Sequence, residues 1–318
     1  MSIRIIGTGS SVPAYTLTND EVSKLVDTSD EWIETRTGIK ERRICTTETI
    51  SDLAFEAAKS AIENAGITAE DLDLIICATV RADEMTPSMA CVIQERLGAS
   101  CPGFDINAAC SGFIFAMDAA LGYFARKKVK KALIIAAETM SKLADWSDRA
   151  TCVLFGDGAG AIVVEEGDDL LSITINSSGS DILRIPNVEG NSPFNKTQSR
   201  PSYLYMAGQE VFKFAVNSIC NDLKSVMQEA DIQDEEVDFV LLHQANKRII
   251  NAAEKHLNID KEKYMLNINK YGNTSSASIP LLLDELNKSN RLKKGNIIAM
   301  SAFGGGLTSA ACIIKWSK

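Results

Sequence analysis

Short aliphatic runs alternate along the chain with longer segments whose apolar residues recur at helical spacing. Residues 133–136 and 162–164 are aliphatic without polar alternation, a pattern typical of strands in a sheet that is covered on both faces. Residues 51–66 carry apolar side chains at helical spacing, with Ser and Asp at their start and Gly at their end, which predicts a helix. The alternation indicates an α/β fold.

Three segments of the first half recur in the same order in the second half: 65–77 as 230–242, 129–136 as 292–299, and 155–164 as 303–312. The two copies are offset by 163 residues in the second pair and by 148 in the last, which predicts an insertion of about fifteen residues near residues 138–154 of the first half. We therefore predict two fused, pseudo-symmetric α/β halves, residues 1–170 and 171–318. Residues 181–203, rich in Gly, Pro, Asn and Ser, predict a surface loop.

Composition narrows the function classes. The 318 residues carry 33 Lys and Arg against 42 Asp and Glu, a net charge of −9, which argues against general nucleic-acid binding. Two histidines exclude a metal site built on several of them, and eight cysteines without a CxxC pair indicate reduced thiols and no metal. No signal peptide and no apolar run of membrane-spanning length occurs, so we expect a soluble, cytoplasmic protein with no membrane partner.

Cys110 differs from the other cysteines in its context. It precedes a segment that is apolar on nearly every face, so we expect a buried helix that starts at or near this residue. A thiol at a helix N-terminus has a lowered pKa and is a candidate nucleophile. An inert core cysteine is the alternative that this context leaves open.

The repeat connects Cys110 with a second polar residue. Cys110 and Asn273 each lie 20 residues before equivalent lysines, Lys130 and Lys293, which predicts equivalent helix-start positions. An ordinary helix cap is the alternative for Asn273.

His243 follows the buried run 238–242, which places it at the carboxyl end of a strand, where open α/β sheets bind ligands. A structural histidine is the alternative reading of this residue.

The glycine-rich strings fit no phosphate-binding motif. Residues 7–9 are too short for a dinucleotide fingerprint, and residues 156–160 run into a strand, whereas a phosphate loop opens a helix. Residues 304–306 are followed by Leu and Thr, and they either bring backbone N–H groups close to a substrate oxygen or form a tight turn between strands.

Seven ordered motifs resemble the β-ketoacyl-acyl-carrier-protein synthase III family, the initiating condensing enzymes of type II fatty acid synthesis. They are Asp27-Thr-Ser-Asp-Glu-Trp-Ile33, Arg36-Thr-Gly-Ile39, Ala108-Ala-Cys-Ser-Gly-Phe113, Phe155-Gly-Asp-Gly-Ala-Gly160, His243-Gln-Ala-Asn246, Gly272-Asn-Thr-Ser275 and Phe303-Gly-Gly-Gly306. The resemblance covers nearly the whole chain and implies a thiolase-like fold with α-β-α-β-α layers. Elongating synthases carry a second His where this chain has Asn273, and thiolases a second Cys.

The resemblance implies a two-stage reaction that needs no permanently bound cofactor. A short acyl-CoA would acylate Cys110, with the N–H groups of Cys110 and Gly305 binding the oxyanion. Malonyl on the acyl carrier protein would then lose CO2 and attack the acyl group, with His243 and Asn273 as donors to the thioester carbonyl.

The resemblance also implies a homodimer and further site residues. Trp32 would stack on the CoA adenine, with Arg36 and Arg149 near the phosphates and Phe212 and Asn246 along the pantetheine channel. The acyl pocket would include Phe303 and, reaching in from the partner subunit, Thr86. Docking of the acidic carrier protein would use the basic residues Lys213, Lys247, Arg248 and Lys255.

Two departures from the family leave alternatives open. Thr86 stands where many members have Phe, which predicts acceptance of primers longer than acetyl or branched ones, and Ser309-Ala310 stands where Trp-Gly is common. A paralogue of specialised, polyketide-like metabolism with the same Cys-His-Asn site is one alternative. A non-catalytic thiolase-fold interaction protein is disfavoured because all three residues are present, and a cysteine hydrolase is disfavoured by the repeat.

Overall fold

The computed structural model of the chain describes residues 2–187, 192–194 and 202–318. Their strands are β1 (Ser2–Ser11), β2 (Thr16–Thr18), β3 (Glu41–Arg43), β4 (Leu74–Ala78), β5 (Gly103–Ile106), β6 (Lys131–Thr139), β7 (Asp157–Gly167), β8 (Leu170–Ser177), β9 (Leu183–Arg184), β10 (Tyr205–Met206), β11 (Phe239–Leu242), β12 (Ile297–Gly304) and β13 (Thr308–Lys315). Their α-helices are α1 (Asn19–Val22), α2 (Asp30–Thr37), α3 (Ile50–Ala65), α4 (Met89–Leu97), α5 (Gly112–Ala125), α6 (Arg149–Cys152), α7 (Gly208–Glu229), α8 (Lys247–Glu254), α9 (Ile268–Tyr271) and α10 (Ser278–Lys288).

Two sheets with the same strand order form the centre of the molecule. The first runs β1-β7-β6-β4-β5 and the second β8-β13-β12-β11. The pairs β4–β6 and β11–β12 are parallel, whereas β6–β7, β12–β13, β1–β7 and β8–β13 are antiparallel. The first sheet differs from the second by one additional edge strand, β5. Helices α5 and α10 pack into one apolar core, so the core does not separate the two repeats. The boundary between halves at residue 170 therefore stays a prediction.

Helices cover both sheets on both faces. The central layer is α5 and α10, whose side chains share one apolar cluster with inward residues of both sheets, such as Ile134 and Met300. Helices α3 and α4 cover the outer face of the first sheet, and α7 and α8 that of the second. This is the predicted α-β-α-β-α arrangement, and it explains the aliphatic strands without polar alternation.

Helix α3 shows why a glycine pair lies near the N-terminus. The helix begins one residue before the predicted start, with Thr49 as its N-cap, and ends at Gly66 in the left-handed conformation (φ +69°). A Cβ on Gly9 would lie 2.2 Å from the carbonyl oxygen of Ala57. The glycine at this position therefore allows α3 to pack directly on β1.

The connections between strands also match the sequence pattern in part. The β6–β7 connection contains a 3-10 helix, Met140–Lys142, and α6, where β12 and β13 are joined by a short turn; this is the predicted insertion. The segment 181–203 is predicted as a loop; within it β9 forms and pairs with β10, and residues 188–191 and 195–201 lie outside the described residues.

In the described parts of the chain, helices fall short of the length and apolarity needed to cross a membrane.

Candidate active site

A cavity of about 910 Å³ opens between the two halves and is lined by residues from both. Cys110, His243 and Asn273 all face it, and so do Gly305 and Phe303. The structure therefore brings together the three residues that the sequence singled out on separate grounds.

Cys110 lies in a 3-10 helix, Ala109–Ser111, immediately before α5. Ala109 adopts a positive φ of 47°, a conformation that costs a non-glycine residue about 1–3 kcal/mol and is held by its surroundings. Part of that support comes from Thr308, whose hydroxyl donates to the carbonyl of Ala108 at 3.0 Å. Gly304 packs so closely that a Cβ there would lie 2.6 Å from the backbone nitrogen of Cys110.

The predicted lowering of the Cys110 pKa is wrong for the unliganded site. Burial raises the pKa of this thiol to about 12, because desolvation disfavours the thiolate and outweighs the helix dipole. Ser275 Oγ lies 3.3 Å from Sγ and favours the thiolate, whereas the buried carboxyl of Glu138 disfavours it. Cys110 is therefore protonated before substrate binds.

Asn273 and Cys110 are not equivalent positions, contrary to the prediction. A 3-10 helix precedes each central helix, Ala109–Ser111 before α5 and Ser275–Ala277 before α10, so Ser276 corresponds to Cys110. The count of 20 residues misled because α5 has 14 residues and α10 has 11.

The true counterpart of Asn273 is Asn107. The Oδ1 atom of Asn107 accepts the N–H of Ala109 at 3.1 Å, and that of Asn273 accepts the N–H of Ser275 at 2.9 Å. Ser275, like Ala109, has a positive φ, of 52°. Because Oδ1 of Asn273 is occupied, its Nδ2 hydrogens remain to donate into the cavity.

His243 follows β11 directly, as predicted, and is 1% exposed. Its Nδ1 lies 2.8 Å from Ser278 Oγ, which also accepts the N–H of Gln244 at 3.3 Å. The contact fits a neutral ring with its proton on Nε2, in which the Ser278 hydroxyl donates to Nδ1 while it accepts the Gln244 N–H. Burial lowers the pKa of His243 to about 3, so the ring is neutral. The ring of Phe303 packs edge-on against it, with 5.3 Å between the ring centroids.

Sequence reasoning missed two polar residues beside the thiol. Ser275 faces the cavity, and its hydroxyl lies 3.1 Å from Oε1 of Glu138, a carboxyl that is 1% exposed. Ser275 ends the motif that contains Asn273, so its position was a usable signal. Glu138 lies in the strand β6 and carried no signal in a single sequence.

The mouth of the cavity is cationic although the whole chain is acidic. Arg36 and Arg149 place their guanidinium carbons 5.7 Å and 4.9 Å from the ring centroid of Trp32. The described residues that line the cavity include five cationic side chains and no acidic one; the cationic ones are Arg36, Arg149, Arg184, Lys213 and Arg248. Phe212 and Asn246 line it as well. Arg184 has no counterpart among the predicted residues.

Three predicted residues lie away from the cavity of this chain. Thr86 is exposed, and its predicted contact with a partner's pocket stays a prediction. Lys247 and Lys255 are exposed outside the lining, unlike Lys213 and Arg248. Ser309, the departure from Trp-Gly, hydrogen-bonds the buried carboxylate of Asp222.

Cysteine, histidine and carboxylate positions show no metal-binding arrangement in the described ranges, where no three of these side chains form a group able to hold an ion. All eight cysteines lie in those ranges and are free of disulfides. Most are buried as predicted, although Cys91 is exposed.

The two repeated sheets, the five layers and a Cys-His-Asn site between them define a condensing enzyme of the thiolase-like class. Residues 104–179 match the family model described as 3-oxoacyl-[acyl-carrier-protein (ACP)] synthase III, and residues 227–316 match its C-terminal counterpart. The chain belongs to the β-ketoacyl-[acyl-carrier-protein] synthase III family, so the predicted family, fold and enzyme class, an acyltransferase-type condensing enzyme of fatty acid synthesis, are confirmed.

Relatives match over the full length of the chain. The β-ketoacyl-[acyl-carrier-protein] synthase III of Clostridium acetobutylicum is 47% identical over 100% of this chain and 99% of its own. The crystal structure of 3-oxoacyl-[acyl-carrier-protein] synthase III from Aquifex aeolicus has a TM-score of 0.93 and 47% identity, covering 99% of this chain and 100% of that one. A priming β-ketosynthase of the R1128 polyketide pathway has a TM-score of 0.94 at 32% identity, with 100% and 97% covered.

Proposed function

We propose that the chain condenses a short acyl-CoA primer with malonyl-acyl carrier protein, releasing CoA and CO2 and forming 3-oxoacyl-acyl carrier protein. The observation that carries this proposal is the cavity itself. A thiol, a neutral imidazole and an amide meet at its inner end, and cationic side chains surround its mouth. This arrangement suits a thioester whose far end carries phosphates.

In the first stage Cys110 attacks the primer thioester. Its own N–H and that of Gly305 bind the oxyanion of the tetrahedral intermediate, because both backbones meet where Gly304 packs against Cys110. One oxyanion donor contributes about 10²–10³ in rate in comparable sites. Collapse of the intermediate expels the CoA thiolate and leaves an acyl-Cys110 thioester.

In the second stage malonyl thioester loses CO2 while His243 Nε2 and Asn273 Nδ2 donate to its carbonyl oxygen. Both donors have their second polar atom fixed, on Ser278 and on the N–H of Ser275. Decarboxylation removes no proton from carbon, so neither residue needs to act as a base, and a neutral His243 with a pKa of about 3 suits this role. The enolate then attacks acyl-Cys110.

Substrate carriers bind at the cationic mouth. Trp32 stacks on the adenine between Arg36 and Arg149, and Phe212 and Asn246 line the path of the pantetheine. The acidic carrier protein docks on a local basic surface, because the net charge of −9 repels it elsewhere. Lys213 and Arg248 form the inner part of that surface; Lys247 and Lys255 extend it outward.

The chain acts as a homodimer in the cytoplasm. Strand β5 supports the dimer, since it is an edge strand hydrogen-bonded to β4 alone and a second copy can pair with it. Thr86 of each copy would then close the other's acyl pocket with a small side chain. Longer or branched primers are expected to fit, and comparing kcat/KM for acetyl-, isobutyryl- and hexanoyl-CoA checks this; a strong acetyl preference would contradict it.

The two-stage scheme is tested with His243→Ala and Asn273→Ala. Both variants are expected to become acylated by primer yet to lose decarboxylation of malonyl-acyl carrier protein and formation of 3-oxoacyl-acyl carrier protein, measured by mass spectrometry. Wild-type condensation in either variant would refute the assigned roles. A polyketide-priming role is the second candidate, favoured by the 32% identical R1128 structure; the higher identity to fatty acid enzymes favours the first.

A further inference from the structure

Behind the nucleophile lies a buried carboxyl that the two-stage scheme does not use. Glu138 stands on β6 on the same face as Ile134 and Ala136, which pack toward α5 in the central layer. Its Oε2 accepts the N–H of Val80 at 3.1 Å. Its Oε1 accepts the hydroxyl of Ser276 at 2.7 Å and that of Ser275 at 3.1 Å.

Ser275 joins this carboxyl to the thiol. Its Oγ is 3.1 Å from Glu138 Oε1 and 3.3 Å from Cys110 Sγ. A hydroxyl has one proton to donate, and an ionised carboxylate is the stronger acceptor. Ser275 therefore donates to Glu138 and accepts the S–H of Cys110, so the three groups form one continuous hydrogen-bonded chain.

We propose that Ser275 and Glu138 form a proton relay that activates Cys110 for acylation. The proposal rests on the assignment of Cys110 as the acylated residue. Ser275 is the catalytic residue of the relay because it touches the reacting sulfur, and Glu138 acts through it.

The steps balance in protons and charge. As Sγ forms a bond to the primer carbonyl carbon, its proton passes to Ser275 Oγ, and the Ser275 proton passes to Glu138. When the tetrahedral intermediate collapses, the C–S bond to CoA breaks, Glu138 returns its proton to Ser275, and Ser275 Oγ, which faces the cavity, donates a proton to the leaving thiolate. Acyl transfer from one thiol to another is then proton-neutral, and Glu138 is ionised again.

The acidity of the carboxyl end suits such a relay. Burial raises the pKa of Glu138 to about 7 while its hydrogen-bond donors oppose the shift. The carboxylate can thus accept a proton near neutral pH, whereas solvent cannot reach the thiol from that side. No cation is hydrogen-bonded to the nucleophile in the described residues, and His243 is neutral with its Nδ1 engaged.

The titratable groups around Glu138 are few. Cys77 of the neighbouring strand β4 lies on the opposite face of the sheet, toward α3, and its pKa is raised by burial first and then by the charges of Asp105 and Glu138. Opposite it on β7 is Gly158, followed by Asp157, whose carboxylate is bonded to Ser141. From α5 the nearest carboxyl in sequence to Cys110 is Asp118, two turns along the helix, and α3 covers the other face of β6 with apolar residues.

Single-turnover acylation, measured by CoA release across pH, tests the relay. In the wild type the rate should rise about tenfold per unit below pH 7 and level off above it, as Glu138 ionises. Glu138→Gln and Ser275→Ala should each lose at least about tenfold at neutral pH and keep rising with pH, because the thiol then deprotonates to solvent. Alkylation of Cys110 by iodoacetamide should follow the same profiles without any acyl-CoA.

Ser276→Ala is the matched control. Ser276 donates to the same Oε1 atom, and its other hydrogen bond goes to the carbonyl of Ala78, whereas Ser275 reaches the Cys110 sulfur. Removing it should keep the high-pH acylation rate within about twofold and move the midpoint to higher pH, since its hydrogen bond lowers the Glu138 pKa. Decarboxylation of malonyl-acyl carrier protein needs no thiolate and should survive in all three variants, which separates the relay from general damage.

Two results would overturn the relay. One is wild-type acylation rates and pH profiles in both Glu138→Gln and Ser275→Ala. The other is an equal loss of the high-pH rate in Ser276→Ala, which would make the network structural. Failure of the wild type to be acylated by any primer would refute the proposed function instead, and the iodoacetamide profiles would still report on the relay.

Discussion

Replacement of Gly304 by alanine probes the contact on which the geometry of the nucleophile depends. An added Cβ would lie 2.6 Å from the nitrogen of Cys110 and 3.0 Å from the Cβ of Ala109, where ordinary contacts begin at 3.4 Å. The backbone of Cys110 must therefore move by about 0.8 Å, and a displacement near 1 Å at a reacting group costs about 10²-fold in rate. We expect Gly304→Ala to lose about 10²-fold in acylation and about 1–3 kcal/mol in the free energy of unfolding.

Gly122→Ala is the matched control, since this exposed glycine of α5 has nothing within 4 Å of an added Cβ. It should acylate at the wild-type rate and gain about 0.5–1 kcal/mol of stability, because alanine replaces glycine inside a helix. Acylation is followed by stopped-flow release of CoA, and stability by urea unfolding. Wild-type acylation by a folded Gly304→Ala protein would refute the argument that this close contact sets the position of the Cys110 N–H.

Three further predictions follow from the site. Ser278→Ala should leave acylation nearly intact but reduce condensation by about tenfold or more, because His243 Nδ1 loses its partner at a cost of about 1–3 kcal/mol; equal condensation in product assays would contradict the tautomer assignment. The native pKa of His243 is about 3, so between pH 6.5 and 3 the unfolded state binds a proton that the native state excludes, and the free energy of unfolding should fall by about 1.4 kcal/mol per pH unit. His243→Gln should flatten this part of the acid-denaturation curve. An unchanged slope in the variant would contradict a lowered His243 pKa. Trp32→Ala should raise KM for acyl-CoA about tenfold without changing kcat, and should leave KM for an acyl-N-acetylcysteamine thioester unchanged; a rise in both would place Trp32 elsewhere in the mechanism.

The repeat made the fold predictable from one sequence. Strands buried on both faces, the order of elements in each half and the insertion after β6 all leave a trace in aliphatic runs and spacing. The same counting failed for Asn273, because helix length is not conserved between the halves and α5 exceeds α10 by one short turn. Spacing measured across a helix therefore locates a residue less well than spacing measured from the strand before it.

Electrostatic environment was the part that sequence could not supply. The helix start at Cys110 was visible, but the pKa of this thiol is raised by burial, lowered by Ser275 and raised by Glu138, and both of those residues lie in other elements. The cationic mouth likewise draws side chains from α2, α6, α7, α8 and β9. The environment of Cys110 and the cationic mouth both arise where segments distant in sequence pack together, and a single sequence carries no local signal of that packing.

The central claim is that Cys110 carries the primer as a thioester. Intact-mass spectrometry of the protein after incubation with acetyl-, isobutyryl- and hexanoyl-CoA tests it directly, without the carrier protein. The account predicts a mass gain of one acyl group with at least one primer, sensitive to hydroxylamine and lost in Cys110→Ser. No gain with any acyl-CoA, or a gain that persists in Cys110→Ser, would contradict it.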